Sequence, residues 1–222
     1  MVPSLKRLVH DLYDIGAFKV DTKKGFRLAL HDKNPDAPLS PFYLNLRTGD
    51  NPKPGPLTPD LVRRISYEIG RAVKGWDISY SGICGIPNAG VPFSTALLQY
   101  WHSVGNPKIR VNLSKCDTSA GRAFTTTNMI HSGFSVGSVL LVDDLITSET
   151  VKRLAINTLR IEGYPICAVA VFLDRRPNPS AYLSDGTRVA AALTIADMLL
   201  ELERTERISN HDATAIWKYL QS

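Results

Sequence analysis

"VLLVDDLITSETVKRLA", residues 139–155, carries the reading of the fold. An apolar run arrives at two adjacent aspartates, Asp143 and Asp144. It then passes through a turn bearing the hydroxyls of Thr147, Ser148 and Thr150 and continues into a helical pattern with Lys152 and Arg153. "VLLV" is apolar without alternation, as strands covered on both faces are. Strand followed directly by helix is a βα unit, and the same rhythm runs along the chain from Asp77. "ISYSGIC" precedes "GVPFSTALLQYWHSV"; "KIRVNL" and a long polar segment lead to the quoted stretch; "ICAVAVFLD" and "VAAALTI" follow, with terminal helices after them. The expected fold is α/β, a mainly parallel twisted sheet with helices on both faces. Ligands of such sheets bind just beyond the carboxyl ends of the strands. That rule singles out the segments 84–90, 113–128, 143–151 and 174–178.

Upstream, "MVPSLKRLVHDLYDIGAF" places Leu5, Leu8, Val9 and Leu12 at the spacing of an amphipathic helix. "GFRLAL" and "SPFYLNLRTG" read as strands separated by the loop "HDKNPDAPLS". A proline-rich stretch then precedes a helix with Thr58 as N-cap, Pro59 at its first position, and an apolar stripe of Leu61, Val62, Ile65, Ile69 and Val73. The expected division is a small N-terminal hood of helix and strands over residues 1–56, and an α/β core with C-terminal helices over 57–222.

The chain has 222 residues, 44% apolar and 21% charged, with no repeat or low-complexity tract, which disfavours disorder and solenoids. A net charge of +5 suits an anionic partner without choosing one. No block of like charges and no basic stretch interleaved with aromatics marks a nucleic-acid platform. Cys84, Cys116 and Cys167 are scattered, so neither a disulfide framework nor a zinc site is expected. No span approaches the roughly 20 apolar residues of a membrane helix, and the N-terminal charges do not suit a secretory leader. The expectation is a cytoplasmic protein. His10, His102, His131 and His211 stand singly, without ligand spacing.

A carboxylate pair at a strand end can accept hydrogen bonds from a vicinal diol, coordinate Mg²⁺ or share a proton. It can equally be a helix cap with a dipole-favoured neighbour. The hydroxyls that follow, with the amides of a helix start, form a phosphate cradle. Diol-binding acids followed by a phosphate turn describe a ribose 5-phosphate site.

"VLLVDDLITSET" resembles the phosphoribosyl-pyrophosphate signature of type I phosphoribosyltransferases. Three other segments bring the resemblance to the orotate phosphoribosyltransferase family. "SPFYLNLRTG" is similar to the strand that contacts orotate, "GICGIPNAGVPFSTAL" to the pyrophosphate-side loop and helix, and "AVFLDRR" to the strand ending in an arginine for the orotate carboxylate. The resemblance implies that Asp143 and Asp144 hold the ribose hydroxyls and that Thr147, Ser148 and Thr150 hold the 5′-phosphate. It lays the loop Gly85 to Gly90, with Asn88 and Gly90, along the pyrophosphate. Phe42, Tyr43 and Arg175 would face the base, which makes residues 1–56 a base-side hood. It also implies Mg²⁺ bridging pyrophosphate and ribose oxygens rather than held by protein ligands, a homodimer, and a place in pyrimidine nucleotide biosynthesis.

Three places depart from the family pattern, one of them Ala89, which stands where the pyrophosphate loop has a lysine. Glu149 stands where the phosphate turn has glycine; at ~5 Å and an effective dielectric near 20, a like charge there opposes a phosphate by roughly 3 kcal/mol. The segment "VNLSKCDTSAGRAFTTTNM" takes the place of a lid loop rich in Arg, Lys and His. Here Lys115 keeps a basic position, Ser114 replaces an arginine, and Arg122 is the candidate second cation. The base-side lysine falls at or near His31 or Lys33. The leading expectation is an enzyme transferring ribose 5-phosphate from phosphoribosyl pyrophosphate to orotate. The alternative is a catalytically impaired paralogue that senses a nucleotide or phosphorylated sugar.

Overall fold

The computed structural model describes every residue except 33, 119–120, 127–136 and 222; for 29, 30, 117, 118, 121 and 122 it describes the backbone alone. Two compact units are present, one of residues 1–57, 176–178 and 193–222, the other of 58–175 and 179–192.

The larger unit is built on a five-stranded sheet. Its strands are β3 (Gly82–Gly85), β4 (Ile109–Val111), β7 (Val139–Ile146), β8 (Ile166–Asp174) and β9 (Arg188–Thr194), in the order β4-β3-β7-β8-β9. β3 runs parallel to both β4 and β7, and β7 parallel to β8. Because side chains alternate across a strand, the unbroken apolar runs are covered on both faces. Val139, Leu141, Val169 and Val171 join Ala155, Ile156 and Leu159 of α4 (Thr150–Ile161) in one cluster. The alternate residues Leu140, Val142, Ala168 and Ala170 are equally buried; α2 (Pro59–Gly75) packs on β8, and α3 (Gly90–Ser103) on β3 and β7. Thr58 caps α2 as expected, its hydroxyl accepting from Leu61 N–H at 3.3 Å. The chain leaves β3 toward β4 on one side and returns to β7 on the other. That reversal opens a crevice beyond the carboxyl ends of β3 and β7.

The polar segment expected to form a lid is, where described, an antiparallel hairpin of β5 (Leu113–Thr118) and β6 (Gly121–Thr126). Leu113 and Phe124 are buried in the same cluster as α4, so alternation along the hairpin docks it on the core. Residues 119, 120 and 127–129 of the expected lid lie outside the described residues.

The smaller unit contains α1 (Pro3–Asp14), β1 (Phe18–Val20), β2 (Phe42–Leu44), α5 (Ile195–Arg204) and α6 (Asn210–Gln221). The stripe of Leu5, Leu8, Val9 and Leu12 is buried, and α1 packs on α5. Glu201 of α5 sits 4% exposed between Arg204 at 2.6 Å, His10 at 3.1 Å and Lys6 at 3.8 Å. The C-terminal helices therefore group with the N-terminal segment, whereas the sequence division puts them with the core. α1 exposes an apolar stripe that two short strands do not cover, and α5 supplies the missing surface.

"GFRLAL" is not a strand. Phe26 alone bridges to Ser40, and Ala29–Asp32 form a 3-10 turn. His31 explains the difference: its buried ring accepts from Leu28 N–H through Nδ1 at 2.8 Å and donates through Nε2 to Ala37 O at 3.2 Å. The imidazole satisfies backbone groups that a sheet ladder would otherwise use. It is a loop-closing residue, and Lys33 lies outside the described residues.

Candidate active site

The aspartate pair occupies a fork in the sheet. On the β3 side, pairing ends where Gly85 faces Val142, with Ile86 N–H donating to Val142 O at 2.8 Å. On the β8 side, β7 stays paired as far as Ile146. Asp143 and Asp144 thus stand on a supported strand at the point where its other edge opens. Gly90, at the start of α3, closes against this edge. A Cβ on Gly90 would fall on the Val142 carbonyl oxygen and lie 3.0 Å from Asp143 Cα. Glycine is needed there because helix and strand meet backbone to backbone.

Asp143 is buried and paired with an equally buried lysine. Lys152 Nζ donates to Asp143 Oδ2 at 2.7 Å and to the Leu145 carbonyl at 2.6 Å. Asp143 Oδ1 accepts from Asp144 N–H at 2.9 Å, and Asp144 Oδ1 from Leu145 N–H at 2.7 Å. Three of the four carboxylate oxygens therefore hold protein hydrogen bonds, and Asp144 Oδ2 has no partner among the described residues. Burial pushes the Asp144 carboxyl up to about 7, helped by the Asp143 charge and opposed by Lys152 and the Leu145 amide.

Beyond the pair, Thr147, Ser148 and Thr150 are exposed and lie around the first turn of α4. Glu149 occupies the cap position with helical φ −78° and ψ −16°, and the helix has no side-chain cap. Its first amides are thus open to an anion from solvent. The Glu149 carboxylate is engaged elsewhere, by Ser184 N–H at 3.0 Å and Ser184 Oγ–H at 2.6 Å. Arg160, also on α4, donates to Asp185 at 2.7 Å, so the turn after Leu183 is tied along the helix flank at two points. Arg175 N–H donates to Ile146 O at 2.8 Å, which sets this half-buried arginine beside the end of β7.

No protein-family model matches the chain. Over 184 residues it is 25% identical to the orotate phosphoribosyltransferase of Sulfurisphaera tokodaii, covering 82% of this chain and 85% of that one. Its fold is similar to that of the orotate phosphoribosyltransferase of Francisella tularensis, with a TM-score of 0.64 at 17% identity over 100% and 97% of the two chains. The chain is similar to orotate phosphoribosyltransferases in sequence and in fold. UMP synthase of Leishmania donovani is also similar, with a TM-score of 0.70 at 19% identity, over 97% of this chain and 42% of that longer one. The expected type I phosphoribosyltransferase fold is thereby shown.

The structure brings together Asp143, Asp144, Gly90, the hydroxyls of 147–150 and Arg175 in one unit. Asn88 is exposed in the loop between β3 and α3, and Lys115 is exposed on β5. The Arg122 side chain lies outside the described residues. Phe42 and Tyr43 belong to the other unit. The Phe42 ring is in its core, 5.7 Å from Phe18 and 6.3 Å from Tyr219, while half-buried Tyr43 lies 5.9 Å from Phe26. Among the described residues, no cluster of three or more His, Cys, Asp or Glu could hold a metal, and the pair offers one uncommitted oxygen. These residues fit an Mg²⁺ ion carried by substrate oxygens and do not fit an all-protein cage. No helix of the described residues is long and apolar enough to cross a membrane.

Two residues outside the expected site hold it in place, Lys152 at Asp143 and Ser184 at Glu149. Lys152 left a signal, since it falls on the helix face of Ala155, Ile156 and Leu159, where a lysine needs a buried partner. Ser184 left none.

Proposed function

We propose that this chain transfers the ribose 5-phosphate group of phosphoribosyl pyrophosphate to orotate, forming orotidine 5′-monophosphate and pyrophosphate. The observation that carries the reading is the aspartate pair at the sheet fork, followed within one turn by an uncapped helix start whose acidic residue is held at Ser184. The anomeric C–O bond breaks, pyrophosphate leaves with the electron pair, and a ring nitrogen of the base gives up its proton to solvent and forms the new bond to that carbon. No side-chain nucleophile is needed; positioning and charge stabilisation do the work. In this reading the exposed hydroxyls and amides of 147–150 hold the 5′-phosphate, the loop with Asn88 lies along the pyrophosphate, and Arg175 grips the orotate carboxylate. Lys115 and Arg122 are the hairpin's cations. Mg²⁺, arriving on substrate oxygens, would neutralise the charge on the departing pyrophosphate. The homodimer implied by the resemblance belongs to the same proposal.

The test is titration of phosphoribosyl pyrophosphate with Mg²⁺ into the protein, followed by pyrophosphate release with and without orotate. Binding with orotate-dependent release is expected. Binding without release under any pyrimidine base favours the sensor, and release with another base alone removes orotate. No binding by the wild type, with binding restored in Glu149→Gly, shows a site closed by that one residue.

A further inference from the structure

Lys152 and Asp143 lie nine residues apart, with side chains each 7% exposed. An ion pair is retained in such a place only when its geometry offsets the loss of water. Here it does: the lysine reaches both the Asp143 carboxylate and the Leu145 carbonyl, and the remaining Asp143 oxygen accepts the Asp144 amide. A ribose hydroxyl donates its proton to an acceptor with spare capacity. Both Asp143 oxygens are engaged, while Asp144 Oδ2 accepts no hydrogen bond from the described residues.

We propose that Asp144 alone of the pair accepts the ribose hydroxyls, and that Lys152 is the positioning residue that divides the roles by holding Asp143 as an ion-paired strut beneath the end of β7. The proposal rests on reading the site as one for ribose 5-phosphate. Without Lys152, the buried Asp143 charge faces Asp144 with no counter-ion. Like charges so close cannot both persist, and the pair takes up a proton that costs Asp144 its role as acceptor. Removing both Lys152 and the Asp143 charge leaves Asp144 as it was.

The experiment compares affinities for ribose 5-phosphate and 2-deoxyribose 5-phosphate by calorimetry, with thermal unfolding confirming that each variant is folded. A merely structural loss weakens both ligands together, whereas the proposal concerns their ratio. The wild type is expected to prefer ribose by about tenfold, the worth of one hydrogen bond to a charged acceptor. Asp144→Ala and Lys152→Met should each bring the ratio near one, and Lys152→Met with Asp143→Asn should restore it to within about threefold of wild type. A folded double variant with no preference, or Lys152→Met with the preference intact, overturns the proposal and leaves the site reading standing. A wild type that binds neither sugar phosphate overturns both.

Discussion

Glu149 illustrates how one residue can break a motif without abolishing its geometry. Its charge sits at a helix start suited to an anion, yet the carboxylate is drawn 35 residues along the chain to Ser184. Ser184→Ala removes the hydroxyl donor but keeps the backbone N–H on the carboxylate, so it is expected to loosen that charge and weaken ribose 5-phosphate binding by about twofold to fivefold. Adding Glu149→Ala should recover the loss; titration of both variants checks it. Neither change should cost more than about 1 kcal/mol in chemical denaturation, since the contact is exposed. Asp144 sets a pH dependence. Its folded pKa, about 7, lies above the usual unfolded value near 4. The stability it contributes is therefore present in full below about pH 4 and is lost as pH rises through about 7. The carboxylate that accepts a hydroxyl exists only above that value. Preference for ribose 5-phosphate over its 2-deoxy analogue is expected to grow between about pH 6 and 8 while stability falls, and Asp144→Asn should flatten both trends. A preference that is level with pH in the wild type would remove Asp144 from the diol.

At the scale of elements, the site depends on how closely α3 approaches β7. Gly90→Ala places a methyl group against the Val142 carbonyl and the Asp143 backbone, neither of which can move without breaking the sheet fork. It is expected to cost roughly 1–3 kcal/mol of stability and to abolish sugar-phosphate binding, measured by denaturant unfolding and calorimetry. Thr58→Ala, at the cap of α2, should cost about 1 kcal/mol and leave the ligand affinity unchanged. α2, α4 and β8 were legible because period and capping agree over many residues. "GFRLAL" misled for the opposite reason. Six residues of suitable composition carry little information, and a single imidazole outweighs them by bonding to the local backbone. The hairpin of β5 and β6 was hidden by its polar sequence; among its described side chains, Leu113 and Phe124 are the ones buried in the core cluster.

At the scale of the whole molecule, the smaller unit joins segments from both ends of the chain. Removing residues 195–222 strips α5 from the apolar stripe of α1 and leaves that stripe exposed. Hydrogen exchange in α1 is expected to lose its protection in the truncated chain, while β7 and β8, buried in the other unit, keep theirs. The sequence by itself determined the alternating architecture, the strand that ends in two acids, and the resemblance to a phosphoribosyltransferase. These follow from periodicity and from residues adjacent in the chain, which share a local geometry wherever the chain folds. Only the tertiary structure decided which acid Lys152 holds, where Glu149 points and which helices complete the N-terminal unit. Each of these depends on a partner brought close by folding rather than by sequence, and on how burial strengthens the charges it brings together.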